Sequence, residues 1–193
     1  MAEPFWPVFF GSKNSGPKGQ KRKGSLKTRS DYRGLLETVS EIDKARMAAF
    51  IDGEGSIFIG AGARIRGRGK MPQHRLQLVI SNTNTLLMNW LKSTFDGSVY
   101  FVKYEKCKHL GKKQVMRWQV NERMAATLLE FILPYMIVKK AQAEVALAFM
   151  ELKKKKPSQF KTEPLTQAEF DHRELLAAEV RRLNKSDGSM SIQ

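Results

Sequence analysis

The sequence predicts one α+β domain in which helices cover a single face of an antiparallel sheet. Segments with apolar residues at helical spacing are followed by segments in which apolar and polar residues alternate singly. The alternating segments come in pairs separated by short loops, which is typical of antiparallel hairpins. A chain of 193 residues, 41% of them hydrophobic, is also long enough to bury one core. The expected order is helix, hairpin, helix, hairpin, helix, with further helices at the C-terminal end.

The first predicted helix covers residues 32–52 and ends at Gly53. Its apolar residues are expected on one side of the helix: Leu35, Leu36, Val39, Ile42, Ala49 and Phe50. Single alternation then predicts strands over residues 56–65 and 74–81, which are joined by a loop rich in Gly and Arg. The two strands form the first hairpin.

A second helix carries Leu87, Trp90, Leu91 and Phe95, with Asn82 or Thr83 as a possible N-cap. The Asp96-Gly97 pair should end this helix in a turn. Strands over residues 99–106 and 115–120 form the second hairpin, and helices follow over residues 124–133, 137–155 and 166–183. This plan divides the chain into a basic, flexible tail (1–31), a core (32–156) and a C-terminal helical extension with its tail (157–193).

Composition limits the class of protein. No apolar run approaches the roughly 20 residues of a membrane-spanning helix, so no membrane partner is expected. Cys107 is the only cysteine, which favours an intracellular, reducing compartment and leaves an organelle or a prokaryotic or phage cytoplasm open. No feature indicates a small-molecule substrate.

The charge points to a polyanionic partner. The formal net charge is +15, from 34 Lys and Arg residues against 19 Asp and Glu residues. Alternation places basic, amide and hydroxyl side chains on the sheet face that the helices leave open: Arg64, Arg66, Arg68, Arg75, Gln77, Ser81, Lys106, Lys108, Arg117 and Gln119. Such groups bind phosphates and base edges, so we interpret this face as a nucleic-acid surface. A solvated polar face, or a generic basic protein such as a ribosomal one, is the alternative.

The end of the first helix carries a second signal. Ala45, Ala49 and Gly53 are four residues apart, so one helical stripe has no side chain larger than a methyl and another helix can approach it closely. Asp52 and Glu54 follow at the helix C-terminus, where the backbone dipole disfavours further anions unless a cation joins them. A divalent metal would relieve this conflict, whereas the alternative is a Gly-rich turn with two exposed acids.

Residues 47–55 resemble the LAGLIDADG motif of the homing endonucleases. Met47 stands for its first Leu, Ala49 for its Gly, Gly53 for its Ala and Glu54 for its last acid. The resemblance extends over about residues 41–152 and includes the Leu133-Pro134-Tyr135 segment. It implies an αββαββα core with a saddle-shaped sheet that lies in the DNA major groove.

By position, the resemblance implies that Glu54 and the Gly53 carbonyl bind a catalytic Mg²⁺ or Mn²⁺ ion. Lys139 would act near the scissile phosphate, Lys140 would contact DNA, and Asn84 would order water at the active site. Met88 falls where a further basic residue is often found, which is a departure from the pattern. The motif helix would pair with a second copy through an interface formed by Ala45, Ala48, Ala49, Asp52 and Gly53.

Only one copy of the motif is visible, so the resemblance implies a homodimer on a near-palindromic site. The predicted function is site-specific cleavage of double-stranded DNA. The alternatives are a non-cleaving relative that serves as an RNA maturase or DNA-binding regulator, and a basic structural RNA-binding protein. The second of these explains the charge but leaves the small-residue stripe and its two acids unexplained.

Overall fold

The computed structural model describes residues 29–61, 72–102, 114–154 and 165–186. Within them the α-helices are α1 (Arg29–Thr38), α2 (Glu41–Glu54), α3 (Thr85–Phe95), α4 (Glu122–Ile132), α5 (Lys140–Lys154) and α6 (Gln167–Ser186). The strands are β1 (Gly55–Ala61), β2 (His74–Asn82), β3 (Ser98–Phe101) and β4 (Met116–Asn121). The predicted α+β plan is confirmed. Arg64, Arg66, Arg68, Lys106 and Lys108 lie outside the described residues.

The predicted first helix is two helices, and the single-helix prediction was wrong. The chain breaks after Thr38, and the Ser40 hydroxyl accepts a hydrogen bond of 3.1 Å from the backbone N–H of Asp43. This N-cap satisfies a donor at the start of α2, which begins at Glu41 as a separate helix. Ile42, predicted to lie on the same side as the core residues, is 66% exposed.

The four strands form one antiparallel sheet in the order β1-β2-β4-β3. In β1 and β2 the predicted alternation holds, because Ile57, Ile59, Leu76, Leu78 and Ile80 are all buried on one face. Helices pack on that face and complete the core, together with Trp118 and Val120 of β4. The opposite side of the sheet is called the open face.

The Asp96-Gly97 turn ends α3 as predicted. Both residues have positive φ angles, 53° at Asp96 and 86° at Gly97. A Cβ atom on Gly97 would lie 2.9 Å from the backbone oxygen of Gln119, so glycine is required there for conformation and for space. The Trp118 indole N–H donates to the Asp96 carbonyl at 2.6 Å and holds the turn against β4.

The C-terminal helices brace the sheet. Helix α6 packs against α5 and β1, and the Asn184 amide donates to the Ile57 carbonyl at 3.0 Å along the outer edge of β1. Buried His74 bonds Glu174 of α6 through Nε2 at 2.6 Å. The Asn184 contact gives a partner to a carbonyl of the edge strand β1, where backbone groups would otherwise be unpaired. None of the described helices is both long and apolar enough to cross a membrane.

Candidate metal and nucleic-acid site

Glu54 lies at the junction between α2 and the sheet. The N–H of Gly55 bonds back to the carbonyls of Phe50 and Ile51, and the chain then continues directly as β1. A Cβ atom on Gly55 would lie 2.6 Å from the Ile51 Cα, so only glycine fits this tight passage. The Glu54 side chain is left exposed at the end of the sheet.

Asn82, at the end of β2, contacts Glu54. Its amide nitrogen donates to Glu54 Oε2 at 2.5 Å, and its amide oxygen accepts from the backbone N–H of Asn84 at 2.8 Å. The second carboxylate oxygen of Glu54 has no hydrogen bond within the described part of the chain. One oxygen of the Glu54 carboxylate is therefore oriented by Asn82, and the other is available to bind a ligand.

Asn84 is the N-cap of α3, whereas Asn82 or Thr83 was predicted to cap this helix. Its side-chain oxygen accepts from the N–H groups of Leu86 and Leu87 at 2.9 and 3.2 Å. The side-chain oxygen of Asn84 therefore accepts two hydrogen bonds at the start of α3. The sequence did not predict the contact between Asn82 and Glu54. Asn82 and Asn84 are two positions apart and either could cap α3, and the pairing register of the hairpin decides between them.

Lys139 neutralises the carboxyl end of α2. Its ammonium donates to the backbone carbonyls of Ile51 and Asp52 at 3.0 and 2.6 Å. The Asp52 carboxylate in turn accepts the backbone N–H groups of Ile137 and Lys139 at 2.7 and 2.9 Å. The two acids therefore differ, since Asp52 is bound by the chain itself and Glu54 is open to solvent.

These contacts bear on two expectations. Residues 137–139 were expected to be helical, but Asp52 binds two of their N–H groups and α5 begins at Lys140. A divalent metal was expected to relieve the electrostatic conflict at the end of α2, and Lys139 supplies one cation there. Lys140 is exposed and near this point.

The small-residue stripe of α2 faces solvent. Ala45, Ala49 and Gly53 are exposed, and a Cβ atom on Gly53 would meet nothing within 4 Å. Ala48, by contrast, is fully buried in the core of its own chain, so it is not available to a second copy. Met88 stands where the resemblance often has a basic residue. It is buried, so in this chain the position is part of the hydrophobic core.

The open face of the sheet carries basic and amide groups. Arg75 and Gln77 of β2 lie on it with Arg117 and Gln119 of β4, and Ser81 accepts from Arg117 Nε at 3.3 Å. None of the described strand residues is acidic. In the described ranges no three His, Cys, Asp or Glu side chains cluster in a way that would hold a metal ion within one chain.

This arrangement of helices and sheet is the fold of the LAGLIDADG homing endonucleases. The homing endonuclease I-CvuI in complex with DNA is 22% identical, with a TM-score of 0.57 over 74% of this chain and 82% of that one. The archaeal intron-encoded homing endonuclease I-Vdi141I, complexed with DNA, is 16% identical, with a TM-score of 0.58 over 74% and 84%. The LAGLIDADG homing endonuclease I-SmaMI, bound to cleaved DNA, is 17% identical, with a TM-score of 0.53 over 79% of this chain and 50% of its own. No family model and no curated protein matches the sequence.

Proposed function

We propose that the protein is a site-specific double-strand DNA endonuclease that works as a homodimer with a divalent metal ion. The observation that carries the proposal is the exposed Glu54 carboxylate, which stands where an exposed small-residue stripe meets a sheet whose described strand residues include no acid. Solved structures with this fold include the homing endonucleases I-CvuI and I-Vdi141I, each in complex with DNA.

A divalent metal fits the donors at the end of α2. Mg²⁺ prefers oxygen ligands and often takes only one or two carboxylates, with water and substrate phosphate completing its coordination. Glu54 offers one oriented carboxylate whose second oxygen is available, and the Gly53 carbonyl would be the second donor. One carboxylate per chain makes half a site, so two copies of Glu54 would complete it.

The surface around the stripe suits a second copy of the chain. A partner helix can approach Ala45, Ala49 and Gly53 closely because no side chain projects there. Ile42, on the same helix, is 66% exposed, and Ile137 and Val138 beside Asp52 are 86% and 55% exposed. Large apolar side chains exposed around a contact surface favour burial against a partner.

Different residues of the chain would have different roles in cleavage. When bound, the metal would supply Lewis-acid stabilisation of the phosphate and a water of lowered pKa. Glu54 would bind the metal and Asn82 would hold the carboxylate in place. Lys139 would offset the negative end of α2, so that a phosphate could approach it. The open face would bind the duplex through phosphates and base edges.

The test is cleavage of a duplex pool with a randomised central region, in Mg²⁺, by wild type, Glu54→Gln and Glu144→Gln. Glu144 is an exposed acid on α5 and serves as the matched control. We expect wild type and the control to cut a subset of the pool and Glu54→Gln to bind it uncut. Binding without cutting by wild type would indicate the non-cleaving alternative. Loss of binding in Glu54→Gln would give that side chain a structural role.

The dimer is tested by sedimentation of Ala49→Leu beside Ala178→Leu. Both alanines are exposed on helices, but Ala178 lies on α6, away from the stripe. A leucine at position 49 should separate the paired helices by overpacking and yield monomer, while the control should remain dimeric. A dimer that tolerates Ala49→Leu would refute this interface.

A further inference from the structure

We propose that Asn121 makes the open face read a keto base, guanine or thymine, at one position of each half-site. The inference rests on the proposed function, because it assumes that the open face lies in the major groove. It concerns a residue just beyond the strand predicted from the sequence. Hydrogen bonds that join side chains of β2, β4 and β3 carry it.

Four side chains form a chain of hydrogen bonds across these three strands. Asn121 Oδ1 accepts from Gln77 Nε2 at 3.0 Å and from Gln119 Nε2 at 2.5 Å. The Tyr100 hydroxyl donates to Gln119 Oε1 at 2.8 Å. The sheet register places Gln77 directly opposite Asn121, and Gln119 lies two residues before it on the same face. The backbone therefore brings these polar groups together.

The network determines which atoms Asn121 can offer to DNA. Two donors occupy both lone pairs of its side-chain oxygen, so this oxygen has no further acceptor capacity. The two N–H groups of Asn121 Nδ2 have no partner within the described part of the chain. Asn121 thus presents donors alone, whereas an unrestrained amide would present both a donor and an acceptor.

Donors alone match keto bases in the major groove. Guanine presents the acceptors N7 and O6 and thymine presents O4, whereas cytosine presents a donor at N4 and adenine presents a donor beside its N7 acceptor. Gln77 differs, because its carbonyl oxygen has no partner among the described residues and one N–H remains. Gln77 keeps the donor-acceptor pair that matches adenine.

A second observation supports a role for Asn121 on the open face. Asn121 occupies the N-cap position of α4, where Asn commonly bonds the helix N–H groups, yet its side chain makes no such bond. Glu122 follows with a φ of 51°, a left-handed conformation that a non-glycine residue rarely adopts. The chain gives up a helix cap and accepts backbone strain here, while the Asn121 amide bonds to the sheet side chains.

Asn121→Asp tests the inference with little change in shape. A carboxylate can accept the same two Gln donors, but its second oxygen offers an acceptor where Asn121 offers N–H groups. Each protein is used to select duplexes from a randomised library without divalent metal, and the enriched bases are sequenced. Asn89→Asp on α3 is the control, since it makes the same charge change at an exposed Asn away from the sheet.

We expect wild type to enrich guanine or thymine at one position and Asn121→Asp to enrich cytosine or adenine there, each by about tenfold or more. The control should enrich the wild-type site with uniformly weaker binding. Unchanged bases in Asn121→Asp, or selectivity lost at every position, would overturn the inference. Wild type that retains no duplex at all would overturn the proposed function itself.

Tyr100→Phe is a second variant that keeps the test decisive if Asn121→Asp does not fold. It removes only the hydroxyl bonded to Gln119, on the short edge strand β3. Without this hydroxyl the Gln119 amide is no longer held with its Nε2 toward Asn121, so we expect selection of the keto base to weaken about fivefold or more. A keto base selected as strongly as by wild type would show that the network does not control what Asn121 reads, and would overturn the inference.

Discussion

Replacing Lys139 by Met removes one ammonium group from the end of α2 and keeps a side chain of similar length. In the folded chain that ammonium donates to the carbonyls of Ile51 and Asp52, while the backbone N–H of Lys139 bonds the Asp52 carboxylate. Because the backbone bond does not depend on the side chain, the substitution isolates the contribution of the ammonium. The adjacent Lys140 is exposed and is the matched control.

The contacts of Lys139 set the size of the effect. A hydrogen bond from a charged donor contributes about 1.5–3 kcal/mol, and partial exposure of Lys139 favours the low end. A cation at a helix C-terminus adds about 0.3–1 kcal/mol. We expect Lys139→Met to lower the free energy of unfolding by about 2 kcal/mol, which lowers the Tm by about 4–8 °C in a protein of this size. Lys140→Met should stay within about 0.5 kcal/mol of wild type.

Thermal and urea unfolding followed by circular dichroism measure both variants at one protein concentration, since a dimer makes the Tm depend on concentration. Equal stability in wild type and Lys139→Met would refute the reasoning, because the ammonium would then contribute nothing to the end of α2. Equal losses in both variants would show that each positive charge in this segment contributes to stability to the same extent, and that the two carbonyl contacts of Lys139 add nothing.

Two further predictions concern polar groups elsewhere in the fold. Tyr32→Phe should cost about 1–3 kcal/mol in unfolding experiments, because the buried hydroxyl donates to the Phe95 carbonyl at 3.0 Å and that carbonyl would lose its partner; Tyr100→Phe, at an exposed site, should cost less. The hydrogen bond from His74 lowers the pKa of Glu174 below its usual 4.5, so the folded state binds that proton less tightly than the unfolded state. The resulting stability is present above pH 4.5 and is lost as the pH falls below it, so the difference between wild type and Glu174→Gln should shrink on acidification. A difference that stays constant over that range would argue against the contact.

Local patterns in the sequence were enough to predict the sheet and the open face. A strand alternates its side chains between two faces with a period of two, so Arg75, Gln77, Arg117 and Gln119 could be assigned to one face without any structure. The Asp96-Gly97 turn was equally local, since positive φ angles favour such residues. The small-residue stripe was predicted in the same way from the helical period.

Contacts between distant segments decided the rest. Asn82 reaches Glu54 across 28 positions, and Asp52 binds backbone groups 85 and 87 positions later. Nothing in the local pattern of either partner signals these bonds. The break between α1 and α2, by contrast, had a local signal that the apolar spacing hid, because the Ser40 cap bonds Asp43 only three residues later.

The sequence by itself determined the element types, the polar face of the sheet and the position of Glu54 at a helix end, because each depends on backbone periods over a few residues. Only the tertiary structure decided which Asn caps α3 and which contacts Glu54, that Asp52 is bound by the chain and that Asn121 presents donors alone. Those outcomes depend on strand register and on competition among hydrogen-bond partners that are far apart along the chain.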